Sequence, residues 1–349
     1  MIHHMSARLV RILFATAIAV VHPFALGAIS DLRTLAAQLT ENGDVHFTGD
    51  LICETGSGRG DAKNVYSDSD GDALIRIAES KTIYVFAHGF YNRNPRRTKP
   101  PLSYAKDTWE GYLDLARNRG EPYAACLLLS DSASGFGPHQ PALGDFLFAV
   151  RLLTDSEALF DPDRRIVLVG YSAGANYIKQ GIVTFAAHLR ANDIAPRGLR
   201  PTRMTLGFLG GVHNGADATA LVAAAVGVAD AFGRGQEVES RTSQESFDKR
   251  WREFERSERA ALTSSRGAQQ LLAGSPELAH LNQEFQSALT PNVRIVNAAS
   301  SADFVAPLRT TALDFAPSMV VGDLNHWGFV NVPLAPSAAR IANAIYSAW

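Results

Sequence analysis

Beyond its first 28 residues this 349-residue chain lacks any run of about 18 uninterrupted apolar residues, so no membrane-spanning helix is expected there. It also lacks a basic excess. Lys and Arg number 33 against 35 Asp and Glu, for a formal charge of -2. With no surplus positive charge to neutralise phosphates, the composition argues against a nucleic-acid partner. Cysteine is nearly absent, with Cys53 and Cys126 the only two. Two thiols match no zinc spacing. Charged residues make up only 19% of the chain and hydrophobic ones 46%, which excludes a disordered, tail-like protein. No internal repeat is visible. The length suits one large domain or two ordinary ones.

What is present begins with a leader. Arg8 and Arg11 precede the apolar run Ile12–Val21, and Ala25-Leu26-Gly27-Ala28 offers small residues for cleavage. That is the layout of a secretory signal peptide over residues 1–28, with an uncleaved anchor as the competing reading. The expectation is a secreted or periplasmic protein with a single domain over 29–349. Export would let Cys53 and Cys126 form one disulfide; two buried free thiols are the alternative.

Beyond the leader, short apolar runs alternate with helical patterns, which signals an α/β fold. Strands are predicted over Ala73–Ile77, Thr82–Ala87, Tyr123–Ser130, Arg165–Tyr171, Met204–Leu209, Val293–Ala298 and Met319–Val321. Helices are predicted over Ser103–Arg117, Gly144–Leu153, Ala173–Leu189 and Ser337–Ala348. Asn64–Ile77 reads as a hairpin whose tip is Ser67-Asp68-Ser69-Asp70-Gly71-Asp72. Its Asp residues lack the closing Glu of a calcium loop, and turn chemistry accounts for them, so no metal is called for. Residues 212–290 break the alternation. Phe247, Trp251 and Phe254 fall at helical spacing. Ser275-Pro276-Glu277 reads as a helix start, with Leu278, Leu281 and Phe285 on one face. The stretch is a helical insertion, either a cap or lid over a site or an ordinary decoration.

The sharpest chemical signal is Gly170-Tyr171-Ser172-Ala173-Gly174, between an aliphatic strand and a helix. A nucleophilic Ser needs a tight strand-to-helix turn, and flanking glycines let the two elements approach. Upstream, Phe86-Ala87-His88-Gly89-Phe90 closes another strand. An oxyanion requires two backbone N–H donors, expected from Ala173 and Phe90. His88 is read as a structural residue holding that loop. Triad order in this architecture is Ser, acid, His. His326, in Gly322-Asp323-Leu324-Asn325-His326-Trp327-Gly328, follows the last strand and is the expected general base. Asp303, after the strand Val293–Ala298, is the expected acid. Asp217 is the runner-up, and Asp323 is close in sequence but not aimed at the ring. His213 reads as a polar loop residue that could alternatively touch substrate. Trp327 and Phe329 either line an acyl pocket or pack.

These motifs resemble the α/β-hydrolase superfamily over roughly residues 80–349. More narrowly, the chain is similar to secreted bacterial lipases and esterases related to GPI-inositol deacylases. That likeness also rests on Leu271-Leu272-Ala273-Gly274-Ser275-Pro276-Glu277-Leu278-Ala279-His280-Leu281-Asn282, then Pro291 and Val293-Arg294-Ile295-Val296. It extends through Ala302-Asp303-Phe304-Val305 and Pro307. In the family a Gly-Ser, Leu, Leu-Asn pattern precedes the strand carrying the acid, which favours Asp303. The resemblance implies a mostly parallel sheet flanked by helices and a cofactor-free serine ester hydrolase. Its substrate would be a small-molecule or lipid ester, with transient contact at a lipid interface. The competing functions are a catalytically silent binding fold and a membrane-acting phospholipase effector.

Overall fold

The computed structural model describes residues 50–57, 64–67, 71–90, 101–132, 134–136, 142–156, 158–192, 203–217 and 265–349. The leader (1–28), the tip at 68–70 and the core of the expected insertion (218–264) lie outside these residues.

In chain order the elements are β1 (Leu51–Gly56), β2 (Asn64–Ser67), α1 (Gly71–Ala78), β3 (Thr82–Ala87), α2 (Leu102–Arg117), β4 (Tyr123–Leu128) and α3 (Ala142–Thr154). They continue with β5 (Arg165–Tyr171), α4 (Gly174–Ala191), β6 (Arg203–Leu209), α5 (Arg266–Gln270), α6 (Pro276–Ala288) and β7 (Val293–Ser300). The chain closes with α7 (Leu308–Thr311), β8 (Ser318–Val321), a 3₁₀ turn (His326–Phe329) and α8 (Pro336–Tyr346).

The eight strands form one sheet in the order β2-β1-β4-β3-β5-β6-β7-β8. From β4 to β8 every neighbouring pair is parallel. Only β1 runs against its neighbours, pairing antiparallel with both β2 and β4. Parallel strands need crossovers and must be covered on both faces. Strand β3 shows the result, with all six of its residues buried. Tyr84 and Phe86 pack with Trp109, Tyr112, Ile341 and Ile345 of α2 and α8. Ile83 and Val85 pack with residues of α1, α3, α4 and α6, among them Leu74, Phe146, Ile178 and Phe285. This is the expected α/β architecture, a mostly parallel sheet between two helical layers.

Two expectations at the amino end need correction. Residues 71–78 form a helix, not a strand, and β2 pairs with β1, not with 73–77. The burial pattern explains it. Ala73, Leu74, Ile77 and Ala78 are buried while Asp72 and Arg76 are exposed, a period near 3.6 and not 2. The Leu-Ile-Arg-Ile core looks strand-like by composition, but its spacing decides. Strand β1 was not anticipated at all. Of the expected insertion, the described parts are the loop 212–217 and residues 265–290, with helices α5 and α6. Ser275 caps α6 by accepting from Leu278 N, with Pro276 in its first turn, and Leu278, Leu281 and Phe285 are buried, as the spacing predicts. Phe329 is fully buried in the core, so the acyl-pocket alternative for it is corrected to packing.

Cys53 on β1 and Cys126 on β4 are directly opposed and disulfide-bonded, 73 residues apart in sequence. The bond ties the one strand of reversed direction to the parallel core. Replacing both by Ala should lower unfolding free energy by about 2–4 kcal/mol through the freed loop. Urea denaturation of the double variant beside the oxidised wild type measures this. An unchanged midpoint would mean the staple adds nothing.

Candidate active site

Ser172 follows β5 and precedes α4 with φ of 54°, the one non-glycine residue in the left-handed region among the described residues. That conformation costs an L-residue about 1–2 kcal/mol. It is held because the backbone around it has no slack. Ser172 N donates to Leu209 O at 2.9 Å, and Ser172 O accepts from Ala175 N at 3.2 Å. The flanking glycines are required for space. A β-carbon on Gly170 would stand 2.6 Å from Ala175 N, and one on Gly174 would stand 2.6 Å from His88 O and closer still to Ala87 O. The start of α4 therefore packs against the backbone at the end of β3, where no side chain fits.

Three side chains meet at this turn. His326 Nε2 lies 2.9 Å from Ser172 Oγ, and His326 Nδ1 lies 2.8 Å from Asp303 Oδ2. With Asp303 ionised, Nδ1 carries the proton and donates to it, which leaves Nε2 as acceptor for the Ser172 hydroxyl. The tautomer is assigned from these partners. The second oxygen of Asp303, Oδ1, accepts from Val305 N and Ala306 N, each at 2.9 Å. Two backbone donors thus fix the carboxylate in plane and aim Oδ2 at the ring. Asp303, Ser172 and His326 are all buried. Both ring nitrogens of His326 are taken, so neither Asp217 nor Asp323 is the partner. Asp323 instead accepts from Ser337 Oγ at 2.8 Å, at the start of α8.

Of the expected oxyanion donors, Ala173 directly follows Ser172 and Phe90 directly follows Gly89. Gly89 lies close to Ser172, since a β-carbon on it would stand 3.2 Å from Ser172 Cβ. Among the described residues no acceptor takes the N–H of Phe90 or Ala173.

His88 and His213 are buried and stand apart from this chain of hydrogen bonds. His88 Nδ1 contacts Gly89 O, and its ring lies between Tyr104 and Tyr177 at centroid distances of 6.4 and 6.3 Å. Burial depresses its pKa to about 4, partly offset by the carbonyls of Gly89 and Ser130. It holds the loop as a neutral ring. His213 belongs to a polar network that the sequence reading missed. Its Nε2 donates to Asn297 Oδ1 at 3.3 Å, and its carbonyl accepts from Asn282 Nδ2 at 2.8 Å. Asn282 Oδ1 in turn accepts from the buried Lys179 Nζ at 2.6 Å. Burial pushes both Lys179 and His213 well below their ordinary pKa values. Asn297 Nδ2 donates to Thr311 O at 2.7 Å, beyond the Asp303 loop. The network thus joins α4, α6 and the segment that follows the acid. Its only sequence signal was Asn282 in the Leu-Asn pair.

Among the described residues no group of three or more His, Cys, Asp and Glu is placed to hold a metal ion, and no helix is long and apolar enough to cross a membrane.

No family model matches the chain, and no curated protein matches it in sequence. Solved structures overlap it only loosely. A lipase-esterase related protein from Clostridium acetobutylicum is 13% identical with a TM-score of 0.39, covering 77% of this chain and 95% of that one. Esterase B from Lactobacillus rhamnosis is 12% identical with a TM-score of 0.40, covering 90% of each. An esterase from Thermogutta terrifontis is 14% identical with a TM-score of 0.41, covering 88% and 89%. The fold is defined by the sheet order and the turn at Ser172, not by this overlap.

His88 gives the site a pH signature in stability. Its folded pKa of about 4 lies below the unfolded 6.5, so protons bind the unfolded chain first as pH falls. Its contribution is complete above pH 6.5 and is lost between pH 6.5 and 4. The stability difference between wild type and His88→Asn should shrink by about 3 kcal/mol across that window. Urea unfolding at several pH values tests it, and a pH-independent difference would contradict the neutral-ring assignment.

Proposed function

We propose that the chain is a serine ester hydrolase acting through an acyl-enzyme intermediate. One observation carries the reading: Ser172, His326 and Asp303 form a buried relay of hydrogen bonds at 2.9 and 2.8 Å on a turn that projects the hydroxyl. In this reading His326 Nε2 takes the Ser172 proton as Oγ attacks the acyl carbonyl. Asp303 holds the Nδ1 proton and stabilises the imidazolium. The N–H groups of Phe90 and Ala173 receive the oxyanion. His326 then gives its proton to the leaving alkoxide, and water, activated by the same ring, releases the acid. Every proton passes through His326, so the cycle needs no cofactor.

Finer features follow from the sequence. The leader Arg8 to Ala28 supports export, and a buried disulfide between Cys53 and Cys126 suits an oxidising compartment. The Gly274-Ser275-Pro276 to Asn282 pattern supports a place among the lipases and esterases related to GPI-inositol deacylases. Lipid or other acyl esters are the corresponding substrates.

Ser172→Ala should reduce hydrolysis of p-nitrophenyl butyrate by at least about a thousandfold and abolish labelling by a fluorophosphonate. Asp303→Asn should lower kcat by on the order of ten-thousandfold while leaving KM nearly unchanged, because it favours the wrong His326 tautomer. A p-nitrophenyl acyl series in the purified wild type then separates esterase from lipase. A wild type inert to every ester and to the fluorophosphonate would favour a binding function for the fold.

A further inference from the structure

The loops carrying Asp303 and His326 present aromatic side chains next to both residues. Phe304, beside the acid, is 56% exposed, an unusual state for a phenylalanine. Its ring lies 5.9 Å from that of Trp327, beside the histidine, tilted by 57°. Trp327 stands edge-on to the His326 ring at 6.0 Å. Trp327 is half-buried, and its Nε1 is turned fully inward, so the part of the indole that reaches solvent is hydrocarbon. The other aromatic neighbour of the His326 ring among the described residues, Tyr171 at 5.0 Å, is buried. Among the described aromatic residues around the histidine, the solvent-exposed apolar surface is therefore that of Trp327 and Phe304.

The chemistry of acyl transfer fixes which part of an ester comes there. The leaving oxygen must lie within hydrogen-bond reach of His326 Nε2 to receive its proton. Groups flanking that ring consequently meet the alcohol portion of the ester and not the acyl portion. Resting on the serine-hydrolase reading, we propose that Phe304 and Trp327 form an alcohol-side platform that selects esters of bulky apolar alcohols, aryl-bearing ones above all. An aromatic leaving group would bury the exposed Phe304 face and stack or tilt against the pair, an interaction a small alcohol cannot make. The platform touches the leaving group only during acylation, so it acts on kcat/KM and has no effect on deacylation, from which the alcohol is already gone.

The test uses purified full-length protein and two ratios of kcat/KM. Benzyl acetate against ethyl acetate varies the alcohol, with alkoxides of similar basicity. Ethyl butyrate against ethyl acetate varies the acyl group at constant alcohol. Phe304→Ala should lower the benzyl-to-ethyl ratio about tenfold and leave the butyryl-to-acetyl ratio at its wild-type value. Phe304→Tyr should restore the first ratio by returning the ring. Because Phe304 is exposed, its truncation spares the core, and Trp327→Phe provides an independent second variant with the same expected direction. An unchanged benzyl-to-ethyl ratio, or equal falls in both ratios, overturns the platform while leaving the serine mechanism in place. Failure of the wild type to hydrolyse any of these esters or to take a fluorophosphonate on Ser172 overturns the mechanism, and the platform with it.

Discussion

The close approach of α4 to the end of β3 is the constraint on which the site depends. Gly174 abuts the carbonyls of Ala87 and His88, and Gly170 abuts the backbone of Ala175. With the helix that near, the chain can turn from β5 into α4 only through a residue in the left-handed region, and Ser172 occupies it. The strain is local, but its consequence is geometric. It lifts Oγ out of the sheet edge and points it at His326. It also leaves Gly89 close against Tyr171 and Ser172. A residue larger than glycine at 174 would move the helix start away from the end of β3, and Ser172 and Ala173 would separate from the His88-Gly89 loop.

Asp303 needs a separate support, because it sits two strands away from Ser172 in the sheet. Its own loop supplies two N–H donors, from Val305 and Ala306. Behind that loop, His213, Asn282, Asn297 and Lys179 tie the segment after the acid to α4 and α6. Among the described residues no carboxylate pairs with Lys179; burying such a lysine is costly, and the cost appears as its depressed pKa. The network is composed of amides and rings with fixed hydrogen-bond directions. Such groups specify one arrangement more strictly than apolar packing does. The His loop has its own anchor, since Tyr112 OH donates to Phe329 O at 3.0 Å, three residues after His326.

The central sheet was legible because buried parallel strands announce themselves. Thr82–Ala87 and Arg165–Tyr171 are continuous apolar runs, and the structure places both strands at those limits. The members of the site were legible because chain order and strand ends restrict the choice. Asp303 and His326 are the acid and histidine that follow β7 and β8. Less legible was the amino end. In α1 a short, β-branched segment carries a helical spacing that composition masks. In β1 the strand is held by partners, β2 and β4, that no local pattern reveals. The Lys179 network was illegible for the same reason: its members are far apart in sequence, and each alone reads as a solvated polar residue.

Three histidines at the carboxyl edge of the sheet show how partners decide roles. His88 faces a backbone carbonyl, and His213 faces the amide of Asn297. Neither partner offers a full negative charge, and burial drives both rings to the neutral form. Such a ring can orient a loop, but protonating it would leave a buried charge unpaired. His326 is equally buried, yet a carboxylate meets one nitrogen and a hydroxyl the other. A proton placed on that ring would stand opposite a negative charge. Burial then strengthens the attraction by excluding water. The same burial that leaves two rings without a charged partner holds the third between a carboxylate and a hydroxyl.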